Sequence, residues 1–324
     1  MSQVVRFHQT GGPEVLQLEE LDVGSPGPGQ ARVRHTAIGL NFIDTYYRSG
    51  LYAQPLPSGL GSEAAGVVEA VGVGVEGLQP GDRVAYASGP LGAYASERLI
   101  PADKLLKLPD AIADETAAAM MLQGLTAEYL LRRTYAVQPG DAILIHAAAG
   151  GVGQIAVQWA KALGARVIAT AGGADKVALV KQLGADVVID YRSEDFVAAA
   201  RAATGGVGVR VVYDGVGKDT FAGSLDCLAP RGLMVTYGNA SGPVPEISPL
   251  LLSQKGSLFL TRPTLGSYIA TRQELEAAAA ALFAVVANGS VKISVAQRYP
   301  LTQAAQAHVD LAARKTVGST ILIP

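Results

Sequence analysis

The chain has 324 residues, of which 49% are hydrophobic and 17% are charged. This length and composition are typical of a folded protein with two ordinary domains and exclude a largely disordered chain. The net charge of −2, without a long basic run, argues against an extended nucleic-acid surface. No apolar stretch approaches the roughly 18 residues of a membrane span, and Cys227, the lone cysteine, excludes an intrachain disulfide. Since the N-terminus also lacks a signal-peptide pattern, we predict a cytoplasmic protein.

Residues 1–125 are predicted to form a β-rich domain. Short alternating runs of apolar and polar residues, such as 30–38 and 64–71, are separated by turn sequences such as 25–29 and 79–82. Glycine and proline in these turns supply backbone dihedrals that strands do not adopt. Short strands at this close spacing favour a partly closed barrel or a sandwich.

After residues 108–110 the pattern changes, and helix-forming sequence follows over about 114–133. Strands then alternate with helices. The predicted strands are a run that begins at Ala142, then 165–169, 186–190, 209–213, 232–238 and 257–261, with helices such as 174–183 and 220–227 between them. Apolar strands that alternate with helices indicate a parallel sheet covered on both faces, with its ligand at the carboxyl ends of the strands.

The stretch 142–159 combines an apolar strand, a turn of small residues and a helix N-terminus. Three of the small residues have the spacing of G-x-G-x-x-G, with alanine in the first position. In such a turn, free backbone N–H groups and the positive end of the helix dipole face an anion. We therefore predict a dinucleotide pyrophosphate site, with a tight turn that binds no ligand as the alternative. The predicted contacts are Ala148, Gly150, Gly151, Val152 and Gly153.

From about residue 262 the chain leaves the alternating pattern. The remaining predicted elements are a helix over 273–287, a strand over 291–297, a helix over 302–313 and a strand over 319–323. They are too few to form a domain alone, so we predict that they complete the N-terminal β domain. The predicted fold is α/β: a Rossmann dinucleotide-binding domain, 126–261, is inserted into a β-rich domain, 1–125 and 262–324, with a cleft between the two.

The cofactor choice is predicted from the end of the second strand of this dinucleotide fold. An NAD-selective site usually has an acid there for the ribose hydroxyls, whereas this chain has Gly172 and Gly173, and its first acid comes later, beside Lys176. The missing acid leaves room for a 2′-phosphate, which Lys176 could bind together with Tyr191 and Arg192. The alternative for Lys176 and Arg192 is a solvated surface position. The pattern favours NADPH.

Several segments of the chain carry a specific resemblance. They are 11–16, 39–46, 61–72, 146–153 and 255–263. The chain resembles the medium-chain dehydrogenase/reductase superfamily and, within it, the quinone oxidoreductases of the ζ-crystallin type. The resemblance implies a GroES-like catalytic domain, an inserted Rossmann domain and a homodimer formed through the Rossmann sheets.

The zinc-dependent branch of this superfamily binds its catalytic metal through a cysteine after Gly-Leu and through the histidine of Gly-His-Glu. Here these two positions hold Asn41 and Ser62, and the lone Cys227 lies far along the chain. A catalytic zinc needs three protein ligands, and a structural zinc usually needs four. The four histidines show no ligand spacing and are predicted to be structural: His8, His35, His146 and His308. We therefore predict a zinc-independent protein.

Chemistry without a metal restricts the substrate. An alcohol needs a stabilised alkoxide, whereas a quinone is already electrophilic and gives a delocalised phenolate, for which neutral donors suffice. The predicted catalytic residues are Asn41, Asp44, Tyr46 and Tyr52. By resemblance, Asn41 and Tyr46 would lie near the nicotinamide and the substrate. The alternatives are a turn residue for Asn41, a helix cap for Asp44 and a packing aromatic for Tyr52.

Four further residues are predicted to contact the cofactor. They are Phe42, Tyr129, Asn239 and Arg262. Asn239 follows a strand of the sheet at its carboxyl end, where cofactor contacts are expected. Arg262 could bind the nicotinamide carboxamide or a phosphate, or it could hold the two domains together. Arg314 or Lys315 could also reach a phosphate, and the sequence does not choose between them.

The leading prediction is NADPH-dependent reduction of small quinones by direct hydride transfer. The same site could reduce the C=C bond of α,β-unsaturated ketones or aldehydes. A different class is an RNA-binding role, as in ζ-crystallin relatives, but the charge pattern gives it no support. A regulatory NADPH sensor without turnover is a third alternative.

Overall fold

A computed structural model of the chain describes residues 1–324, which divide into two compact units. Unit 1 comprises Met1–Leu125, Ile269–Ala287 and Ile293–Pro324, and unit 2 comprises Thr126–Tyr268 and Asn288–Lys292. We predicted a return to the first domain at residue 262, whereas 262–268 belong to unit 2. The reason is that Tyr268 stacks on Tyr129, with ring centroids 4.4 Å apart. None of the helices has both the length and the apolar character of a transmembrane span.

Sixteen strands and eleven α-helices form the two units. The strands are β1 (Ser2–Phe7), β2 (Gln17–Leu21), β3 (Gln30–Leu40), β4 (Ser58–Gly59), β5 (Glu63–Val71), β6 (Arg83–Ala87), β7 (Glu97–Pro101), β8 (Leu106–Lys107), β9 (Ala142–Ile145), β10 (Arg166–Ala171), β11 (Val187–Asp190), β12 (Val209–Asp214), β13 (Leu228–Thr236), β14 (Phe259–Thr261), β15 (Val295–Pro300) and β16 (Ser319–Ile323). The helices are α1 (Phe42–Ser49), α2 (Asp114–Ala118), α3 (Met121–Tyr129), α4 (Gly151–Ala162), α5 (Ala174–Gln182), α6 (Phe196–Ala203), α7 (Phe221–Cys227), α8 (Leu250–Gln254), α9 (Leu265–Tyr268), α10 (Arg272–Ala287) and α11 (Ala304–Ala312).

Unit 1 contains two sheets. One has the strand order β2-β1-β4, and the other has the order β15-β16-β3-β5-β6-β8, with β7 also paired to β3. The long strand β3 pairs with β5, β7 and β16, always antiparallel, so it organises the larger sheet. The core of the unit includes Phe7, Tyr86, Tyr94 and Leu105, all fully buried. These β-rich sheets agree with the prediction for the N-terminal part of the chain.

Unit 2 is built around a six-stranded sheet in the order β11-β10-β9-β12-β13-β14. Every neighbouring pair is parallel. Numbered from β9, the order is 3-2-1-4-5-6, the doubly wound arrangement of dinucleotide-binding folds. The strand order reverses between β9 and β12, and the carboxyl ends of these strands therefore flank the crevice in which such folds bind their ligand.

The helix-forming stretch predicted over 114–133 is helical except for a break at residues 119 and 120. The structure has α2 and α3 in its place, followed by one π-helical turn over Leu130–Thr134. The break coincides with a contact to a residue that is distant in sequence. The backbone N–H of Leu122 donates to Glu63 Oε1 at 2.7 Å, so a carboxylate from β5 caps the start of α3.

Candidate active site

The turn after β9 is tight and is held by its own backbone. Ala147 adopts the left-handed conformation with φ +50°. The N–H of Gly150 donates to the carbonyl of Ala147 at 2.9 Å, and the N–H of Ala148 donates to the carbonyl of Thr170 at 3.0 Å. This second bond joins the turn to β10 and fixes the direction in which α4 begins.

The start of α4 fits a phosphate group. A Cβ at position 153 would lie 2.5 Å from the carbonyl oxygen of Ala147 and 2.6 Å from Cα of Ala148, so only glycine allows the helix to pack this closely. Gly150 is the N-cap, and α4 runs for 12 residues. The N–H groups of Gly151, Val152 and Gly153 belong to the first turn, where no intrahelical acceptor exists. They provide the donors that a dinucleotide pyrophosphate needs.

A buried polar chain lies beneath this turn. Thr170 Oγ1 is 2.9 Å from His146 Nδ1, and His146 Nε2 is 3.0 Å from Ser224 Oγ. Ser224 donates to Asp214 Oδ2 at 3.1 Å, and Asp214 Oδ1 accepts the N–H of Val216 at 2.8 Å. Burial lowers the pKa of His146, which is consistent with a neutral ring. The predicted structural role of His146 is confirmed, and its partners tie β9, β10, β12 and α7 together.

The end of β10 carries the residues predicted to bind a 2′-phosphate. A Cβ at position 172 would collide with the hydroxyl of Tyr191, so the phenol lies over Gly172. Asp190 Oδ1 accepts the N–H of Gly173 at 3.0 Å and the N–H of Arg192 at 3.1 Å, and these bonds lower the pKa of Asp190. Sequence reasoning missed Asp190, which joins the turn of Gly173 to the loop of Tyr191 and Arg192. The sequence feature that could have identified Asp190 is an acidic residue at the carboxyl end of β11, the third strand of this sheet in chain order.

Lys176 lies in the first turn of α5 and is half-buried. Two other unit 2 residues predicted to contact the cofactor follow the ends of sheet strands. Asn239 follows β13, and its carbonyl accepts the N–H of Gly242 at 2.9 Å. Arg262 directly follows β14. Burial raises the pKa of Tyr129, which the Arg262 guanidinium opposes, and Tyr129 stacks on Tyr268.

In unit 1, Asn41 lies at the centre of a buried cluster. It is the N-cap of α1 and is only 4% exposed. Its Nδ2 donates to Glu63 Oε2 at 2.6 Å, and its Oδ1 accepts from Gln123 Nε2 at 3.2 Å. Gln123 Oε1 in turn accepts from Ser319 Oγ at 2.6 Å. Both polar ends of the Asn41 side chain are therefore held by side chains that are distant in sequence.

Glu63 is the functional candidate that sequence reasoning missed in unit 1. The side chain is fully buried, and a Cβ at position 39 would collide with its carboxylate, so Gly39 makes room for it. Burial raises the pKa of Glu63 to about 8, against hydrogen bonds from Asn41 and from the backbone of Leu122. The signal in the sequence was a carboxylate within the small and apolar residues of 61–72.

Asp44 has the capping role that we weighed as its alternative. Its Oδ2 accepts the backbone N–H of Asn41 and the hydroxyl of Tyr94, each at 2.9 Å. The chain continues from Tyr94 to His308 Nε2 at 3.1 Å and from His308 Nδ1 to Arg48 at 3.0 Å. Burial raises the pKa of Asp44 to about 7 and lowers the pKa of His308 to about 3. These contacts favour a structural role for Asp44, and its direct participation in catalysis stays a prediction.

The remaining predicted residues of this domain form an aromatic cluster on and after α1. Tyr46 is 8% exposed and contacts Phe42 and Tyr52, with ring centroids 5.7 and 5.3 Å apart. Tyr47 also contacts Tyr52, at 5.7 Å. The structure thus brings Phe42, Tyr46 and Tyr52 together on and just after α1, the helix that Asn41 caps. Their packing against one another accounts for part of their burial.

The side chains of unit 1 do not fit a zinc ion. Asn41 and Ser62 stand at the expected ligand positions, and the Asn41 amide is already bonded to Glu63 and Gln123. No group of three His, Cys, Asp or Glu side chains in the structure could hold a metal ion. His35 and His308 are buried and hydrogen-bonded within the unit, as predicted for structural histidines.

Comparison with known families defines the class. Residues 27–110 match the family described as "Alcohol dehydrogenase GroES-like domain" and residues 151–284 match "Zinc-binding dehydrogenase". The zinc in the name of the second family has no counterpart in this chain, whose side chains form no set of zinc ligands. A GroES-like part together with a doubly wound dinucleotide-type sheet is the architecture of the medium-chain dehydrogenase/reductase class.

Full-length relatives narrow this class to one family. The chain is 55% identical to the quinone oxidoreductase of Pseudomonas aeruginosa over 325 residues, 100% of both proteins. Its structure matches that of Escherichia coli quinone oxidoreductase complexed with NADPH with a TM-score of 0.98 and 54% identity, covering 99% of this chain and 100% of that chain. It is also 49% identical to a 2-haloacrylate reductase of a Burkholderia species over 326 residues, 98% of both proteins. The chain belongs to the quinone oxidoreductase family.

Proposed function

We propose that the protein reduces small quinones with NADPH by direct hydride transfer and without a metal. The observation that carries the proposal is the match over the whole chain to a quinone oxidoreductase complexed with NADPH. The geometry supports it in both units. Unit 2 offers a glycine turn that fits a pyrophosphate, and unit 1 has a hydrogen-bonded amide where zinc-dependent relatives have a metal ligand.

In this proposal, unit 2 binds NADPH, which supplies the hydride when bound. The first turn of α4 binds the pyrophosphate through the N–H groups of Gly151, Val152 and Gly153. Lys176, Tyr191 and Arg192, at the turn of Gly172 and Gly173, would hold the 2′-phosphate. Tyr129, Asn239 and Arg262, together with Phe42 of unit 1, stay predicted cofactor contacts.

Unit 1 stabilises the reduced substrate. Hydride addition places negative charge on a quinone oxygen, and the aromatic ring spreads this charge, so neutral hydrogen-bond donors are sufficient. We propose that Asn41 supplies such a donor through its amide and that Tyr46 and Tyr52 supply hydroxyl donors. The positioning of these donors, rather than a Lewis acid, is then the catalytic contribution of unit 1.

A second candidate is reduction of an activated C=C bond. The observation in its favour is the 49% identity to a 2-haloacrylate reductase over nearly the whole chain. A conjugated alkene also accepts a hydride directly and also leaves a delocalised anion. The same donors would serve it.

Parallel assays separate the two candidates. The oxidation of NADPH and NADH is followed with 1,4-benzoquinone, an α,β-unsaturated ketone and 2-haloacrylate as acceptors. We expect the highest kcat/KM with NADPH and the quinone. Turnover of the ketone or 2-haloacrylate without turnover of the quinone would replace the main proposal by the second. Equal use of NADH would overturn the 2′-phosphate assignment.

We further propose that the protein is a homodimer joined through β14. This strand lies at the edge of the unit 2 sheet, and its Phe259 and Leu260 are 61% and 37% exposed. An exposed apolar edge strand is a template for pairing with another strand. Sedimentation should show a dimer for the wild type and a monomer for Leu260→Lys, with Leu250→Lys in α8 as the control. A dimeric Leu260→Lys variant would contradict this interface.

The cytoplasmic location stays a prediction, which cell fractionation tests.

A further inference from the structure

The hydrogen bonds around Asn41 run in one direction. In its ionised state the Glu63 carboxylate only accepts hydrogen bonds, so the Asn41 amide then turns its NH₂ group towards Glu63. Its oxygen then faces Gln123, whose NH₂ group donates to it, and the Gln123 oxygen accepts the Ser319 hydroxyl. Turning one amide alone would place two donors or two acceptors against each other. The direction of the chain is therefore set at its carboxylate end.

Glu63 is anchored by contacts that do not belong to this chain of hydrogen bonds. Its Oε1 accepts the N–H of Leu122 at the N-terminus of α3, where the helix dipole favours a negative charge. The carboxylate also packs directly against Gly39 of β3, where a Cβ would collide with it. Glu63 consequently presents its other oxygen to Asn41 as a fixed acceptor.

We propose that Glu63 is a positioning residue, which sets the orientation of the Asn41 amide. In this orientation an N–H group of Asn41, and not its carbonyl, is available to the substrate oxygen. Asn41 Nδ2 has two hydrogens, of which Glu63 takes one. The other is the donor that our proposed function assigns to the substrate, and the inference rests on that function. A reversed amide would present a carbonyl oxygen to the developing negative charge.

The Glu63→Gln variant reverses the direction with little change in shape. The oxygen of the substituted amide is needed by the Leu122 N–H, so its NH₂ group must face Asn41. The Asn41 and Gln123 amides then both turn, and the Ser319 hydroxyl accepts instead of donating. We expect a folded protein with unchanged affinity for NADPH and a kcat/KM for a quinone at least about 10-fold lower at pH 9, since loss of one positioned donor costs this much or more.

A double variant tests direction separately from charge. In Glu63→Gln with Gln123→Glu, the carboxylate lies on the other side of Asn41, where it accepts from both Asn41 and Ser319. The composition and charge of the cluster are those of the wild type, but its direction is reversed. We expect kcat/KM to stay as low as in Glu63→Gln. This variant also provides the test should the single variant not fold.

The pH dependence of kcat/KM distinguishes positioning of Asn41 from a purely structural role of Glu63, which would not affect that dependence. Protonated Glu63 donates a hydrogen bond, as the amide of the Glu63→Gln variant does. Wild-type kcat/KM should therefore rise with pH through a group near 8, and this group should be absent in Glu63→Gln. Asp44, Tyr86 and Tyr94 also face Glu63. They are present in both proteins, so the difference between the two profiles isolates Glu63.

The control is Glu69→Gln, which changes another glutamate of β5 that pairs with Arg32 and Arg34. It should keep wild-type kcat/KM. The inference is overturned if Glu63→Gln keeps wild-type activity, if the double variant regains it or if the two pH profiles coincide. An inactive wild type would overturn the proposed function and, with it, the inference. Activity in the wild type that is lost in Glu63→Gln alone and restored in the double variant would overturn only the inference.

Discussion

The two candidate sites are assembled in different ways. The glycine turn of unit 2 is made by neighbours in sequence: Gly150 and Gly153 both pack against Ala147, and the backbone supplies the donors. The Asn41 cluster of unit 1 is made by side chains that the fold brings together from β5, α3 and β16. The first site depends on the absence of side chains, and the second depends on buried side chains that must all be satisfied.

The two sites therefore differ in the free energy that their formation costs. Backbone donors at a helix N-terminus exist in any helix, so the turn needs only space. The Asn41 cluster buries the carboxyl groups of Glu63 and Asp44, whose raised pKa values show that the fold disfavours their charge. We therefore expect substitutions in the turn to affect cofactor binding and substitutions in the cluster to affect pH dependence and turnover.

The largest effect is expected at Gly153. In Gly153→Val, the new Cβ meets backbone atoms of Ala147 and Ala148 that cannot move without opening the turn. Overpacking of this kind costs about 1–3 kcal/mol of stability, and we expect NADPH affinity to fall by at least about 100-fold because α4 is displaced. Fluorescence titration and thermal unfolding measure the two effects. Gly266→Ala is the control, since a Cβ there meets nothing within 4 Å. A Gly153→Val variant that binds NADPH normally would show that the turn is not the cofactor site.

The second effect is a pH dependence of stability. Burial raises the pKa of Glu63 from 4.5 to about 8. The folded protein thus holds this proton more tightly than the unfolded chain, and its stabilising contribution, complete below about pH 4, is lost as the pH rises towards 8. The free energy of unfolding of the wild type should fall with pH more steeply than that of Glu63→Gln, by up to about 1.4 kcal/mol per pH unit between pH 5 and 8. Denaturant titrations at several pH values measure this, and parallel curves would contradict it.

A smaller effect is expected at Asp190, which joins two backbone segments of the proposed 2′-phosphate site. Asp190→Ala removes the acceptor for the N–H groups of Gly173 and Arg192. We expect the Kd for 2′,5′-ADP to rise about 3- to 10-fold, the loss of roughly one hydrogen bond, with NADH affinity unchanged. Asp190→Asn keeps the acceptor and should behave as the wild type.

The matched control for Asp190 is Asp195→Ala. Asp195 caps α6 by accepting the N–H of Val197, so its loss costs about 1 kcal/mol of stability without touching Gly173 or Arg192. Its affinity for 2′,5′-ADP should not change. An equal loss of affinity in both variants would mean that Asp190 acts only through stability.

The same contrast explains what could be predicted from the sequence. The alternation of strands and helices in unit 2 and the turn of Gly150 and Gly153 are local patterns, and the parallel sheet followed from them. The break between α2 and α3 could not be predicted, because the residue that caps the start of α3, Glu63, lies about 60 residues away in the chain. Asn41 was chosen by resemblance, but its partner Gln123 is visible only after folding. The position of 262–268 likewise depends on a distant ring, that of Tyr129.

Hydride transfer without a metal is tested most directly by a measurement of whether turnover needs a metal. The protein is dialysed against a chelator, and quinone-dependent oxidation of NADPH is followed before and after dialysis and after Zn²⁺ is added back. Because Asn41 is held by Glu63 and Gln123 where a zinc ligand would stand, we expect the same rate in all three samples. A rate that is lost in chelator and restored by Zn²⁺ would contradict hydride transfer without a metal.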